Sequence, residues 1–566
     1  MYEGVNASDG IGIGVARVAV EPDLSFTPHA PEDAKAEEER YQAAGATFEQ
    51  TNAQIERMTK TVGEEAAAIM GAHIEFAEDE GIRDMVNGSI ESGMCAEQAV
   101  SEAYDMYYNM FSNMEDELFR ERAADVADVK TGLLADLLGQ ELVDLSTLPE
   151  NSIVVVRELT PSMTADIDKE NVAAIVTETG GRTSHSAIIA RALEIPAVLS
   201  VADATSAIKT GDMVVVDGTN GKVIVKPGDH DLEHYRAKAK QYAEEKVALE
   251  AYRGKETVTA DGQKKLLVAN IGNPDDANVA AEHDAEGVGL FRSEFLFMDA
   301  KELPSEDEQF AAYQKVALRM KDQPVIIRTL DVGGDKEIPY LHLTKEDNPF
   351  MGYRAVRYCL NNPDQYKVQL TALLRASAFG DIKIMVPLVT NIDEIRQVKE
   401  LVKECMAELD VRGVSYNKDI EVGTMIETPA ASLIADDLAA ECDFFSIGTN
   451  DLIGYTMCAD RGNDKVAYLY EVYQPAVLRS LKRIIEEGNK AGIMVGMCGE
   501  AAADPLLIPV LLSFGLGEFS VSAPSILRTR RIISEWTKEE ADALVEKVMK
   551  LKTATEVKAM LQAAAK

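Results

Sequence analysis

Three textures of apolar and polar positions follow one another along the chain. From about Pro31 to Leu138, apolar residues recur at helical spacing in PEDAKAEEERYQAAGATFEQTNAQIERM, CAEQAVSEAYDMYYNMFSNM and EDELFRERAADVADVKTGLLADLL. None has an internal Gly–Pro break, so the pattern predicts long helices. Joined by short turns, they make an antiparallel bundle. Near Asn151 the period shortens, and the β-branched runs SIVVV, AAIVT, PAVLS, DMVVVD and KVIV alternate with helical stretches or Gly/Asp turns, predicting a small α/β domain. The opening GIGIGVARVAV has the same texture; if it returns as a strand there, the helical bundle is an insertion. From about Asp231 to Arg253, DLEHYRAKAKQYAEEKVALEAYR reads as one charged helix, a semi-rigid connector. After Lys255, strand and helix alternate, with candidate strands KLLVANI, GVGLFRS, PVIIRTL, IKIMVPLV, IEVGTMI, DFFSIG, IMVGMCG and GEFSVSA. That is the arithmetic of a (β/α)8 barrel. A doubly wound sheet is the competing architecture.

Length agrees with several domains, since 566 residues exceed one core and predict about three to four. Charge adds an exclusion. The 57 Lys+Arg against 96 Asp+Glu give a net −39, a surface that repels nucleic acid and anionic lipid. This balance reads first as solubility or adaptation to salt, and second as a docking face for a basic partner. The six cysteines are scattered without zinc spacing or a disulfide framework, which fits a reducing, cytoplasmic compartment. MYEGVNASDGIGIG lacks the basic region and apolar core of a signal peptide, and no apolar run approaches a membrane span.

In a barrel, chemistry sits at the strand C-termini. Arg292 follows GVGLF, Arg328 closes PVII, Glu427 follows GTMI, Asn450 and Asp451 follow FFSIGT, Cys498 closes MVGM, and Arg461 lies just beyond DLIGYTMCAD. A lone Arg here is most simply a structural ion pair. Several polar groups ending apolar strands at one face point to a site, because burying them unpaired costs several kcal/mol. The guanidinium fork matches phosphate and carboxylate. Glu427 and Asp451 are few, hard oxygen ligands, which suits Mg²⁺. An isolated Cys is usually a small buried hydrophobe; beside an enolate-forming substrate, Cys498 becomes a candidate general acid.

A second constellation is GGRTSHSAIIARAL, residues 180–193. The glycines allow a tight turn, Thr183 or Ser184 can cap, and SAIIARAL propagates a helix. His185 then falls in the first turn, where orphan N–H groups favour an added phosphoryl anion. A hydroxyl such as Thr183 can fix the tautomer and leave the other nitrogen nucleophilic. On this string alone, a capping-turn His without chemistry remains open. His29, His73, His230, His234, His283 and His342 have no comparable setting. A nucleophile and a donor site on different predicted domains require movement, with the connector helix as hinge.

These strings carry a resemblance. GGRTSHSAIIAR, GVGLFRSEFLFM, IIRTLDVGGDK, NPFMGYRAVR, GTMIETPAA, FFSIGTNDL, ADRGN and MCGEAA occur in the same order in the Enzyme I family of the bacterial phosphoenolpyruvate-dependent sugar phosphotransferase system, which the chain resembles nearly end to end. The resemblance implies a swivelling phosphohistidine α/β domain (1–23 and 144–230) with an inserted helical domain (24–143) that docks the phosphocarrier HPr. A linker helix (231–256) and a TIM barrel (257–566) that binds phosphoenolpyruvate and forms a homodimer would follow. It implies that His185 is phosphorylated through Nε2, that Arg292, Arg328, Arg354, Arg461 and the Asn450–Asp451 segment bind phosphoenolpyruvate, that Glu427 and Asp451 hold Mg²⁺, and that Cys498 protonates the enolate. Departures fall at SDG, where SPG is common, and at Ile453–Gly454. Pyruvate phosphate dikinase or phosphoenolpyruvate synthase is the nearest rival, but about 110 helical residues without a Gly-rich phosphate loop fill the space of a nucleotide domain. A regulatory phosphorelay protein is the second; no sensory domain is visible before the α/β segment.

Overall fold

The computed structural model describes residues 1–19, 24–31, 33–46, 76–112, 117–140, 145, 148–159, 163, 167–181, 184–298, 300, 302–333, 338–341, 343–344, 346–460, 463 and 465–566. The chain divides into two compact units, Met1–Lys246 and Val247–Lys566.

The first unit is built on one eight-stranded sheet. Its strands are β1 (Tyr2–Glu3), β2 (Val5–Ser8), β3 (Ile11–Val18), β4 (Ser152–Val156), β5 (Val172–Thr177), β6 (Ala197–Leu199), β7 (Met213–Asp217) and β8 (Lys222–Val225), in the order β1-β8-β7-β3-β4-β5-β6-β2. The opening segment returns as β3, parallel to β4 and antiparallel to β7. More than a hundred residues separate β3 from β4, and the helices α1 (Ala34–Ala46), α2 (Glu80–Glu91), α3 (Ala96–Ser112) and α4 (Glu117–Leu138) lie between them. Helix α3 buries Ala96, Ala99, Val100, Ala103 and Tyr104, the i, i+3, i+4 stripe of a helix with one apolar face. That stripe joins Ile82, Val86 and Ile90 of α2 and Val126, Val129 and Leu133 of α4 in a core of its own. The helix expected over residues 31–58 begins at Ala34 and is described to Ala46; Pro31 and Asp33 are not helical, and residues 32 and 47–58 lie outside the described residues. The charged helix is α6 (Asp229–Glu250). Its first turns dock on the sheet: Tyr235 packs with Val215 and Ile224, and Lys238 Nζ meets Asp217 at 2.5 Å.

The second unit is a closed, all-parallel barrel of β9 (Leu266–Ile271), β10 (Val288–Arg292), β11 (Val325–Arg328), β12 (Ile382–Val386), β13 (Val422–Ile426), β14 (Phe444–Gly448), β15 (Met494–Cys498) and β16 (Glu518–Val521). These are the eight expected strands, so the doubly wound alternative falls. Side chains alternate across each strand. Leu290, Ile326, Met385, Met425, Phe444 and Cys498 pack together in the interior. Phe291, Ile327, Ile384, Ile426, Phe445 and Met497 point outward into the core shared with the helices. No helix among the described residues is long and apolar enough to cross a membrane.

Candidate active site

The alternation that builds the inner layer also builds the site. One step of two residues beyond Leu290, Ile326 and Met425, on the same inward face, come Arg292, Arg328 and Glu427. Arg292 and Arg328 are register partners on β10 and β11, and Cys498 ends β15 beside Gly448. A barrel whose strands end together thus places a guanidinium pair, a carboxyl and a thiol at one mouth.

Arg328 is buried and ion-paired with Glu294 and with Asp331, the latter at 3.0 Å. Arg354, arriving on the loop after β11, shares Asp331 at 2.8 Å and reaches Asp451 at 3.3 Å. Asp331 therefore bridges two guanidiniums and fixes their spacing. The Arg354 guanidinium also meets the Tyr455 hydroxyl at 3.4 Å and lies 5.8 Å from the Phe350 ring centre. Burial works against both charges but is outweighed by the surrounding carboxylates, chiefly Glu294 and Asp331 for Arg328, and Asp331 and Asp451 for Arg354, so both pKa values rise. After this pairing, Nε of Arg328 and Nε of Arg354 still have no hydrogen-bond partner among the described residues. Buried N–H donors left over beside fixed guanidiniums are what an anionic ligand would satisfy.

Support for Arg328 continues outward. Ser293 Oγ donates to the Arg328 carbonyl at 2.6 Å and accepts from Gln369 Nε2 at 3.0 Å. Gln369 Oε1 in turn accepts from Leu330 N at 2.9 Å.

Glu427 is 2 % exposed, and its Oε1 accepts from the Leu388 backbone N–H at 2.6 Å. Gly448 makes room for it: a Cβ there would stand 2.6 Å from Oε2. Asp451 lies in the first turn of α7 (Thr449–Met457), which opens where β14 ends. Asn450, beside it, is held by its carbonyl, which accepts from the Tyr470 hydroxyl at 2.9 Å. Burial, then repulsion from Asp451 and Asp331, pushes Glu427 up to about 8, while Arg328 and Arg354 pull it down. Carboxyls crowded until one resists ionisation fit a hard divalent cation. Among the described residues, though, no group of three or more His, Cys, Asp or Glu side chains is arranged to hold a metal ion. Glu427 and Asp451 would need ligand oxygens or water to complete a shell.

The raised carboxyl makes stability pH-dependent. Glu427 favours its neutral form in the folded state, so its contribution is complete below the ordinary carboxyl range and is lost as pH rises through about 8. The denaturant midpoint of the metal-free protein is expected to fall from about pH 5 to about pH 8, and Glu427→Gln should flatten part of that slope. Glu518, raised to about 7 by burial, keeps the rest. An unchanged slope in Glu427→Gln would contradict this.

Cys498 is buried, with its Sγ 3.5 Å from the Ile447 carbonyl. Burial, opposed by Arg328 and the Ser446 hydroxyl, raises the thiol to about 11, so it carries its proton at neutral pH. The Thr449 hydroxyl ties the Cys498 carbonyl at 3.0 Å. Cys458 is exposed, and the remaining cysteines are buried; all six are free thiols.

His185 belongs to the other unit. It is the first residue of α5 (His185–Ala192), as its string predicts, and Ser184 is the N-cap, accepting from Ala187 N at 3.4 Å. Gly180, at φ +102°, makes the turn before it, and Ser200 Oγ donates to its carbonyl at 2.8 Å. The helix is anchored by Ser186, whose hydroxyl meets the Leu159 backbone at 3.1 and 3.3 Å. Thr183 and Arg461 lie outside the described residues, as does His342. Arg292, Arg328, Arg354, Glu427, Asn450, Asp451 and Cys498 therefore gather at one barrel mouth. Glu294, Asp331 and Tyr455 were not foreseen. The signal was available for two of them: a buried Arg requires an acid, and Glu294 and Asp331 stand within three residues of Arg292 and Arg328 in the same strings.

Family models agree with this layout. The N-terminal model of phosphoenolpyruvate-utilising enzymes matches residues 3–122, their mobile domain residues 148–221, and their phosphoenolpyruvate-binding domain residues 246–538. The fold is thus that of a phosphoenolpyruvate-utilising enzyme. A phosphoenolpyruvate-protein phosphotransferase of Bacillus sp. (strain S) is 46% identical over 556 residues, 98% of this chain and 96% of that one. The protein of the same name in Bacillus subtilis (strain 168) is 45% identical over 562 residues, 99% of each chain. A solution structure of an Enzyme I protein, 37% identical, covers 43% of this chain and all of that one, with a TM-score of 0.39. This chain belongs to the phosphoenolpyruvate-protein phosphotransferase family.

Proposed function

We propose that the chain takes the phosphoryl group of phosphoenolpyruvate onto His185, releases pyruvate, and passes the group to the histidine of the phosphocarrier HPr. The observation that carries this reading is the Arg328–Asp331–Arg354 array, whose Nε donors have no partner among the described residues, set beside Glu427 and Cys498. An array of fixed positive charge around a small anion is how phosphoryl transfer is stabilised.

In this mechanism Arg292, Arg328 and Arg354 receive the phosphate and carboxylate of the substrate, joined by Arg461 and the Asn450–Asp451 segment. Glu427 and Asp451 would hold Mg²⁺, which when bound neutralises charge on the transferring group. Neutral His185 attacks the phosphorus through Nε2, so a P–N bond forms as the enol P–O bond breaks. Cys498, protonated at neutral pH, gives its proton to the enolate carbon and completes pyruvate. His185 stands in the first unit and the array in the second, so the α/β domain must swing, with the segment near the end of α6 as hinge. The helical domain, 24–143, would dock HPr. The barrel would carry a homodimer interface, and the scattered free thiols suit the cytoplasm. The domain limits 1–23 and 144–230, 231–256, and 257–566 belong to the same reading.

Cys498→Ala tests the division of labour. Pyruvate formation from phosphoenolpyruvate should slow by about 10²-fold or more, while transfer from already phosphorylated His185 to HPr stays at its normal rate. Normal pyruvate formation in this variant would remove Cys498 from the mechanism. A dependence of phosphorylation on added nucleotide would favour the dikinase-like alternative.

A further inference from the structure

A separate cavity of about 210 Å³ opens at the other mouth of the barrel, where the strands begin. Ile326, Phe444 and Met494 give it apolar walls, and Asp381, Lys383 and Glu518 its polar groups. Glu518, the first residue of β16, is 2 % exposed, and its Oε1 has no hydrogen-bond partner among the described residues. The sequence provides for this carboxyl: its register partner is Gly496, where a Cβ would stand 2.6 Å from that oxygen. Lys383 pulls the Glu518 pKa down, but burial prevails. The Lys383 ammonium is already paired with Glu421 at 2.7 Å. A buried carboxyl without a partner costs free energy that a bound donor would recover.

We propose that this cavity binds a small organic cation: a primary ammonium on a compact apolar body, the ammonium on Glu518 and the body against Ile326, Phe444 and Met494. A dry cavity of about 150 Å³ admits benzene, so the space here holds one six-membered ring and a short ammonium arm. A carboxylate is repelled by Glu518 and Asp381. A neutral isostere lacks the charge-assisted bond that Glu518 offers. Ile326 and Phe444 line the cavity and also belong to the interior cluster that contains Cys498, so the occupant would rest against the packing that lies under the candidate active site.

The test uses the full chain, labelled with ¹³C at methionine methyls and titrated with benzylamine, benzyl alcohol and benzoate. Benzylamine should move the Met494 methyl signal saturably, benzyl alcohol should bind at least about tenfold more weakly, and benzoate not at all. Glu518→Gln should weaken benzylamine by about 10- to 100-fold and leave phosphorylation by phosphoenolpyruvate unchanged. The proposal is overturned if Met494 shows no saturable shift in the natural protein, if benzyl alcohol binds as tightly as benzylamine, or if Glu518→Gln binds benzylamine equally well. Should Glu518→Gln not fold, the three-ligand comparison on the natural protein decides alone.

Discussion

Replacing His185 with alanine is expected to give a folded protein that still binds phosphoenolpyruvate, incorporates no phosphoryl group and supports no transfer to HPr. The separation follows from where His185 stands. It opens α5, whose placement is secured by the Ser184 cap, by Ser186 on the Leu159 backbone, and by Ala187, Ile189 and Ala190 in the core. Alanine is the best helix former at such a position. The residues proposed to receive the substrate, among them Arg328, Arg354 and Glu427, lie in the other unit. Calorimetry should return an unchanged Kd for phosphoenolpyruvate, while label from the substrate stays at background. Label on His185→Ala would mean that another side chain is the acceptor.

Arg328→Met should damage both stability and rate. Removing this guanidinium takes a cation away from Glu294 in a dry setting and a partner away from Asp331. Breaking a buried pair from one side costs about 3–5 kcal/mol. Loss of one fixed charge from the proposed phosphoryl-binding array should slow His185 phosphorylation by about 10²–10³-fold or more. The two effects separate in Arg328→Met/Glu294→Gln, which also removes the carboxylate charge that faced Arg328. Chemical denaturation should show part of the stability recovered, and quenched-flow measurement should show no recovery of rate. A double variant that regains both would make the Arg328–Glu294 pair structural only.

The barrel was legible because each strand is a short apolar run bounded by Gly, Asp or Pro, and eight such runs in about 300 residues match its arithmetic; closure of the sheet, which removes the doubly wound alternative, was not. Which face of each strand points inward was not legible. Parallel strands covered on both sides are apolar at nearly every position, so Phe444 and Phe445 read alike although one faces the interior and the other the helices. Arg328, Glu427 and Cys498 stood out because polar side chains close apolar strands. Asp331 did not, since it lies past the strand in a loop, and only the fold brings Arg354 to its other oxygen. In the first unit the return of the opening segment as β3 was visible in its β-branched texture. Docking of α6 was hidden, because its charged sequence places one buried aromatic, Tyr235, against the sheet.

The account turns on whether phosphoenolpyruvate alone, with Mg²⁺, phosphorylates His185. Mass spectrometry of the full chain mixed with both, mapped at peptide level, should find one acid-labile phosphoryl group on the peptide carrying His185, absent when divalent cations are removed. A protein left unmodified under these conditions, or carrying an acid-stable phosphoryl group elsewhere, would contradict it.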